Sequence, residues 1–208
     1  SIRKVELMGD NLFIADRYYG LRIVDIRDKS QPIEIGRVQT RSKTHNVAIS
    51  GDYAYVADGD SGVCVINISN PDQPEEVGSF NTNEANDISI SGNYAYIADG
   101  SHSGLRIFDI SDPENPIETG SFETEHRALS VLISENCAYL TEDREGLHII
   151  DVNDPEQPEE ISFIDPYGHD LCVAVSGNYA FVAGYMQGLR ILDISDIESP
   201  VEIGFFDT

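Results

Sequence analysis

The segment Gly20-Leu21-Arg22-Ile23-Val24-Asp25-Ile26 constrains the fold more than any other feature, because it comes back four times. Its copies open at Gly62, Gly104, Gly146 and Gly188, so every step is 42 residues. Pro32, Pro74, Pro116, Pro158 and Pro200 keep the same beat. A fixed period of this length belongs to solenoids, propellers and arrays, whose units bury apolar surface only by stacking on one another.

One period resolves into four short strands. In the second repeat these are residues 46–50, 53–57, 63–68 and 76–80. Gly51-Asp52 is a hairpin dipeptide, Asp58-Gly59-Asp60-Ser61 a second turn, and Asn70-Pro71-Asp72-Gln73-Pro74 a loop where proline stops pairing. Gly9-Asp10, Gly92-Asn93, Glu135-Asn136 and Gly177-Asn178 repeat the hairpin. No apolar set recurs at helical spacing, and the turns come too often for helices.

Four strands per period predict an all-β chain, a β-propeller of five four-stranded blades near 1–42, 43–84, 85–126, 127–168 and 169–208, forming a single domain over 1–208. Asp25, Asn67, Asp109, Asp151 and Asp193, set in otherwise aliphatic runs, are expected to hold turn N–H groups. The chain enters in a first strand and leaves after a fourth. Ring closure would therefore rest on blade one packing against blade five; the alternatives are a longer array or association through blade edges.

The heptads, the G-[DN]-Y-A-[YF]-[VI]-A segments and the D-P-x-x-P loops resemble the LVIVD-repeat family across all five repeats. The resemblance implies a propeller of bacterial or archaeal cell-surface and secreted proteins, hence an extracellular or cell-surface location. It carries no settled enzymatic activity and no catalytic residues to transfer. Asn67 in place of the heptad aspartate and Glu135 in place of the hairpin glycine are local departures.

A net charge of −24 argues against nucleic acid, which demands Lys and Arg facing phosphates. The charge is uneven: residues 1–43 hold nine Lys/Arg against six Asp/Glu, and the remainder four against 31. No run approaches the length of a membrane helix, so membrane insertion is not expected. Cys64, Cys137 and Cys172 lack zinc-ligand spacing and read as thiols.

In a propeller the second-to-third turns and the interblade loops share one face, the hairpins and proline loops the other. Compared among themselves, the five repeats are uniform on the hairpin face and differ on the loop face, where a ligand would be met. Candidate binding residues there are Arg17, Tyr18, Tyr19, Lys43, His45, Asp87, His126, Arg127, Arg144, Tyr167, His169, Asp170 and Tyr185. The favoured function is a non-enzymatic binding or scaffold module for a protein, peptide or glycan. The alternative is a propeller hydrolase or lyase using channel-mouth carboxylates and histidines, Asp87 and Asp170 serving as acid and base. His45, His126 and His169 could converge as a metal site, but His45 and His169 do not align in the repeat and the first and third blades have no histidine there; Asp58 to Gly62 lacks the full calcium-loop pattern. No metal, cofactor or catalytic residue is therefore assigned.

Overall fold

The computed structural model describes the chain except residues 101, 144–145, 166–169, 185–187 and 208, and the side chains of 170–171. Every element among the described residues is a strand. Blade one comprises β1 (Ile2–Met8), β2 (Asn11–Asp16), β3 (Gly20–Asp25) and β4 (Ile33–Val38). Blade two comprises β5 (Asn46–Ser50), β6 (Tyr53–Ala57), β7 (Val63–Asn67) and β8 (Glu75–Phe80). Blade three holds β9 (Ala85–Ser91), β10 (Tyr94–Asp99), β11 (Gly104–Asp109) and β12 (Ile117–Phe122). Blade four holds β13 (Ala128–Ser134), β14 (Cys137–Glu142), β15 (Leu147–Asp151) and β16 (Glu159–Ile164), and blade five β17 (Asp170–Ser176), β18 (Tyr179–Gly184), β19 (Gly188–Asp193) and β20 (Val201–Phe206). Each sheet keeps its strands in sequence order, so the blades coincide with the repeats.

The repeated residues explain the repeated geometry. The hairpin glycines Gly9, Gly51, Gly92 and Gly177 all sit at φ between 55° and 59°, and Glu135 adopts φ 54° in their place. Asp25, Asn67, Asp109, Asp151 and Asp193 each accept the backbone N–H two residues on, at 2.8–2.9 Å, which is the turn role expected of them. The residue after each third strand then donates its N–H to a hairpin carbonyl: Ile26 to Asp10, Ile68 to Asp52, Ile110 to Asn93, Val152 to Asn136 and Ile194 to Asn178. Hairpin and proline loop are thereby tied together at one end of every blade. Gly20 begins β3 at φ +74°, and a Cβ there would lie 2.3 Å from the Val38 carbonyl oxygen, so no larger residue fits.

The chain forms two compact units: Ser1–Ala95 with Asp109–Ile117, and Tyr96–Phe108 with Glu118–Thr208. In the first, Phe13, Ala15, Leu21 and Ile23 of blade one interlock with Val47, Ala54, Val56, Cys64 and Ile66 of blade two. In the second, Tyr139, Leu147 and Ile149 of blade four meet Val173, Ala180, Val182 and Leu192 of blade five. Each blade thus has a trailing face for the next blade and a leading face for the one before. Burying both is why the strands read as aliphatic runs. Val5 and Leu7 of β1 and Ile203 and Phe206 of β20 are exposed.

Candidate functional site

Beneath the loop face lies a set of acids and cations placed by strand register. The second strand ends in Asp16, Asp99 and Glu142 in blades one, three and four and is followed directly by Asp58 in blade two, all four buried; in blade five it ends in Gly184. The third strand brings a cation beside that acid, and the fourth brings Glu34, Glu76, Glu118, Glu160 or Glu202. In blade one Arg22 donates from Nε to Glu34 at 2.8 Å, with Nη1 3.6 Å from Asp16. Arg106 bridges Glu118 and Asp99 in blade three, with Nη1 3.3 Å from Asp99. Arg190 in blade five donates to Glu202 at 2.9 Å. A carboxylate shut away from water needs such partners, because burying an unpaired charge costs several kcal/mol.

Blades two and four depart from the pattern. In blade two the third-strand place is Cys64, and the cation comes from outside the sheet: Arg41, in the interblade loop, reaches Glu76. Asp58 accepts the backbone N–H groups of Arg41 and Ser42 at 2.9 and 2.8 Å and the Thr44 hydroxyl at 3.3 Å, so one buried carboxylate pins the whole loop. Burial, with Glu76 and Asp58 alongside, pushes the Cys64 thiol up to about 12, which leaves it protonated and inert.

In blade four His148 takes the cation's place. Its Nδ1 lies 2.6 Å from Glu160, and its Nε2 3.5 Å from the fully buried Glu142. The rings of Phe122 and Phe163 flank the imidazole at 5.8 and 4.7 Å. Burial by itself lowers the His148 pKa, but the close Glu142 carboxylate and the hydrogen bond and charge of Glu160 outweigh it, and the net shift is upward.

The sequence-derived candidates fall into two groups, one in each compact unit. In the first, Arg17, Tyr18 and Tyr19 form the β2–β3 turn. The Arg17 guanidinium stands 5.8 Å over the Tyr18 ring, and the two tyrosines are 60% and 57% exposed. Lys43 is exposed and His45 half-buried in the loop that Asp58 holds. Asp87 accepts a hydrogen bond from the Asn46 side chain, so it links the first strands of neighbouring blades. In the second unit, the His102 ring meets the Glu125 carbonyl, and the Arg127 carbonyl accepts the Asp143 N–H at 2.8 Å. This brings His102, His126, Arg127 and Asp143 onto one loop cluster. Arg144, Tyr167, His169 and Tyr185 lie outside the described residues, as does the side chain of Asp170. Among the described residues, no cluster of His, Cys, Asp and Glu has a geometry that could hold a metal ion.

The acid–cation–acid sets were missed by comparing repeats for what differs. Their signal was present: the fourth-strand glutamates are spaced by 42 residues throughout.

A family model, the LVIVD repeat, matches residues 1–40, 42–82, 84–124, 127–165 and 168–208. The chain belongs to the LVIVD-repeat family. Its five blades are those of a β-propeller, and solved structures share the fold. A functionally unknown protein from Desulfotomaculum acetoxidans superposes with a TM-score of 0.82 at 16% identity, covering 100% of this chain and 70% of that one. The periplasmic gluconolactonase PpgL of Pseudomonas aeruginosa gives 0.79 at 14%, covering 96% and 68%. The computationally designed Ika8 protein gives 0.76 at 11%, covering 100% and 63%. The LVIVD-repeat chain thus spans 63–70% of the length of these three proteins. No curated protein matches it in sequence.

Proposed function

We propose that this LVIVD-repeat propeller is a non-enzymatic binding module of a cell-surface or secreted protein, presenting its loop face to a protein, peptide or glycan. The observation that carries the reading is the contrast between loop bases and loop tips. Buried acids lock the bases, as Asp58 does for residues 41–44 and Asp16 for the Tyr18 N–H at 3.2 Å. The tips carry exposed Tyr18, Tyr19, Arg41, Lys43 and Arg127. Rigid loops ending in tyrosine and arginine lose little entropy on binding and carry the side chains that dominate interface energetics. The acidity of the chain fits a partner other than nucleic acid.

Glycan and peptide arrays probed with the intact protein test the reading. Tyr18→Ala/Tyr19→Ala is expected to weaken captured ligands by about tenfold or more while leaving the unfolding midpoint unchanged. Ligands retained at full strength by that variant and by Arg127→Ala would remove the loop face as the binding surface. Turnover of a lactone or glycoside by the wild type would overturn the non-enzymatic reading.

A further inference from the structure

Four of the five residues that hold the turn after the third strand are aspartates: Asp25, Asp109, Asp151 and Asp193. Each works through a carboxylate oxygen that accepts the backbone N–H two residues on. Asn67 does the same in blade two, its Oδ1 accepting the Ser69 N–H at 2.9 Å. The turn therefore asks for an oxygen, and four blades hold it with no nitrogen at that place. The other arm of the Asn67 amide, Nδ2, has no hydrogen-bond partner among the described residues and is not shut away from water. The repeats, set side by side, isolate this nitrogen as a group with no part in the fold.

Ser69 gives the nitrogen a context. Residues 67–69, Asn-Ile-Ser, are the one Asn-x-Ser/Thr triplet without proline in the 208 residues, and such a triplet is the acceptor signal for N-linked glycans. The Ser69 hydroxyl donates to Asn67 Oδ1 at 2.7 Å, so the amide and the hydroxyl that the signal requires stand side by side. Between them Ile68 is buried and donates its N–H to the Asp52 carbonyl at 2.8 Å, which anchors the triplet. Asn67 itself is the last residue of β7, half-buried, and pairs with Tyr53 and Glu75. Around it Gly51, Asp52, Ser69, Asn70 and Glu75 are all exposed, which leaves room for a bulky hydrophilic group.

We propose that Asn67 is an N-glycosylation site. The inference rests on the cell-surface or secreted location proposed above. A glycosyltransferase joins Asn67 Nδ2 to the anomeric carbon of a sugar activated as a glycosyl phosphate. The new C–N bond replaces the C–O bond to the phosphate, which leaves with that bond's electron pair, and Nδ2 gives up one proton. Oδ1 remains a carbonyl oxygen, so both hydrogen bonds from Ser69 persist and the turn survives the modification. The glycan then stands at the end of blade two where hairpin and proline loop are tied together. Lys43 and His45 lie at the opposite end, so the loop face stays free to bind.

Site-localised mass spectrometry of the full chain, recovered from its own cells after separating exported from cytoplasmic protein, reads the outcome. The peptide containing Asn67 is expected to carry a hexose- or N-acetylhexosamine-based mass in wild type and in Ser69→Thr, and none in Ser69→Ala or Asn67→Asp. Asn67→Asp copies the residue of the other four blades, so it is expected to keep the wild-type far-UV spectrum and to bind the same array ligands. Exported wild type with a bare Asn67, or a glycan that persists in Ser69→Ala, would overturn the inference and leave the loop-face reading standing. A chain confined to the cytoplasm would overturn both.

Discussion

Gly36 and Gly204 occupy the same place in their repeats, so replacing each by alanine is a matched pair in which only the next blade differs. At Gly36 the new methyl would stand 2.1 Å from the Pro71 carbonyl oxygen and 2.9 Å from Pro74 Cδ. Ordinary contact needs about 3.5 Å, so the proline loop of blade two must retreat by more than 1 Å from a well-packed surface. Overpacking of this kind costs about 1–3 kcal/mol, and alanine recovers only about 0.4–1 kcal/mol through the unfolded chain. Gly36→Ala is therefore expected to lose about 1 kcal/mol net. At Gly204 the nearest atom is 3.9 Å away, nothing moves, and the alanine gain of about 0.4–1 kcal/mol stands alone. Urea unfolding followed by circular dichroism at dilute protein measures both. The expected gap is the overpacking cost itself, about 1–3 kcal/mol, or roughly 2–12 °C in a thermal midpoint for a chain of this size. Equal effects at the two positions, within about 0.5 kcal/mol, would refute the argument that the next blade's loop decides the cost.

Other perturbations test the buried acids and the hairpins. Asp58→Asn offers one acceptor oxygen where the carboxylate offers two; it is expected to cost about 1–3 kcal/mol and to speed amide exchange at Arg41 and Ser42, read by hydrogen exchange. His148 has a folded-state pKa above its ordinary 6.5, so its contribution is fully present below the unfolded value and is lost as pH rises through the folded one. Urea midpoints should therefore fall across that window in wild type, and His148→Arg, which copies Arg106 of blade three, should remove that component of the fall. Glu135→Gly relieves a side chain held at φ 54° and is expected to raise stability by about 1 kcal/mol, measured as a higher thermal midpoint.

The sequence carried the local geometry in full. The hairpin dipeptides, the proline loops and the turn-holding Asp25 series act within a few residues, and a residue type constrains φ or offers an acceptor wherever it stands. The variable loops could be told from the uniform ones because the copies could be compared with one another. The buried carboxylates were harder to see. Asp16, Asp58, Asp99 and Glu142 look like ordinary turn acids until strand pairing brings Arg22, Arg106 or His148 beside three of them and a loop folds onto Asp58. Asp58 finds its partners in a loop 14–17 residues away, and no spacing rule announces that Arg41 will replace a cation missing at Cys64.

What the sequence determined by itself was the blade: its length, its four strands, its turns and the two apolar faces it must hide. Those follow from a 42-residue pattern written nearly the same way five times. Only the tertiary structure decided which faces are hidden. Leu7 and Phe206 belong to the same pattern as Ile49 and Phe80, yet they stand in solvent. Burial belongs to the contact between two blades, so the residues of one blade cannot specify it by themselves.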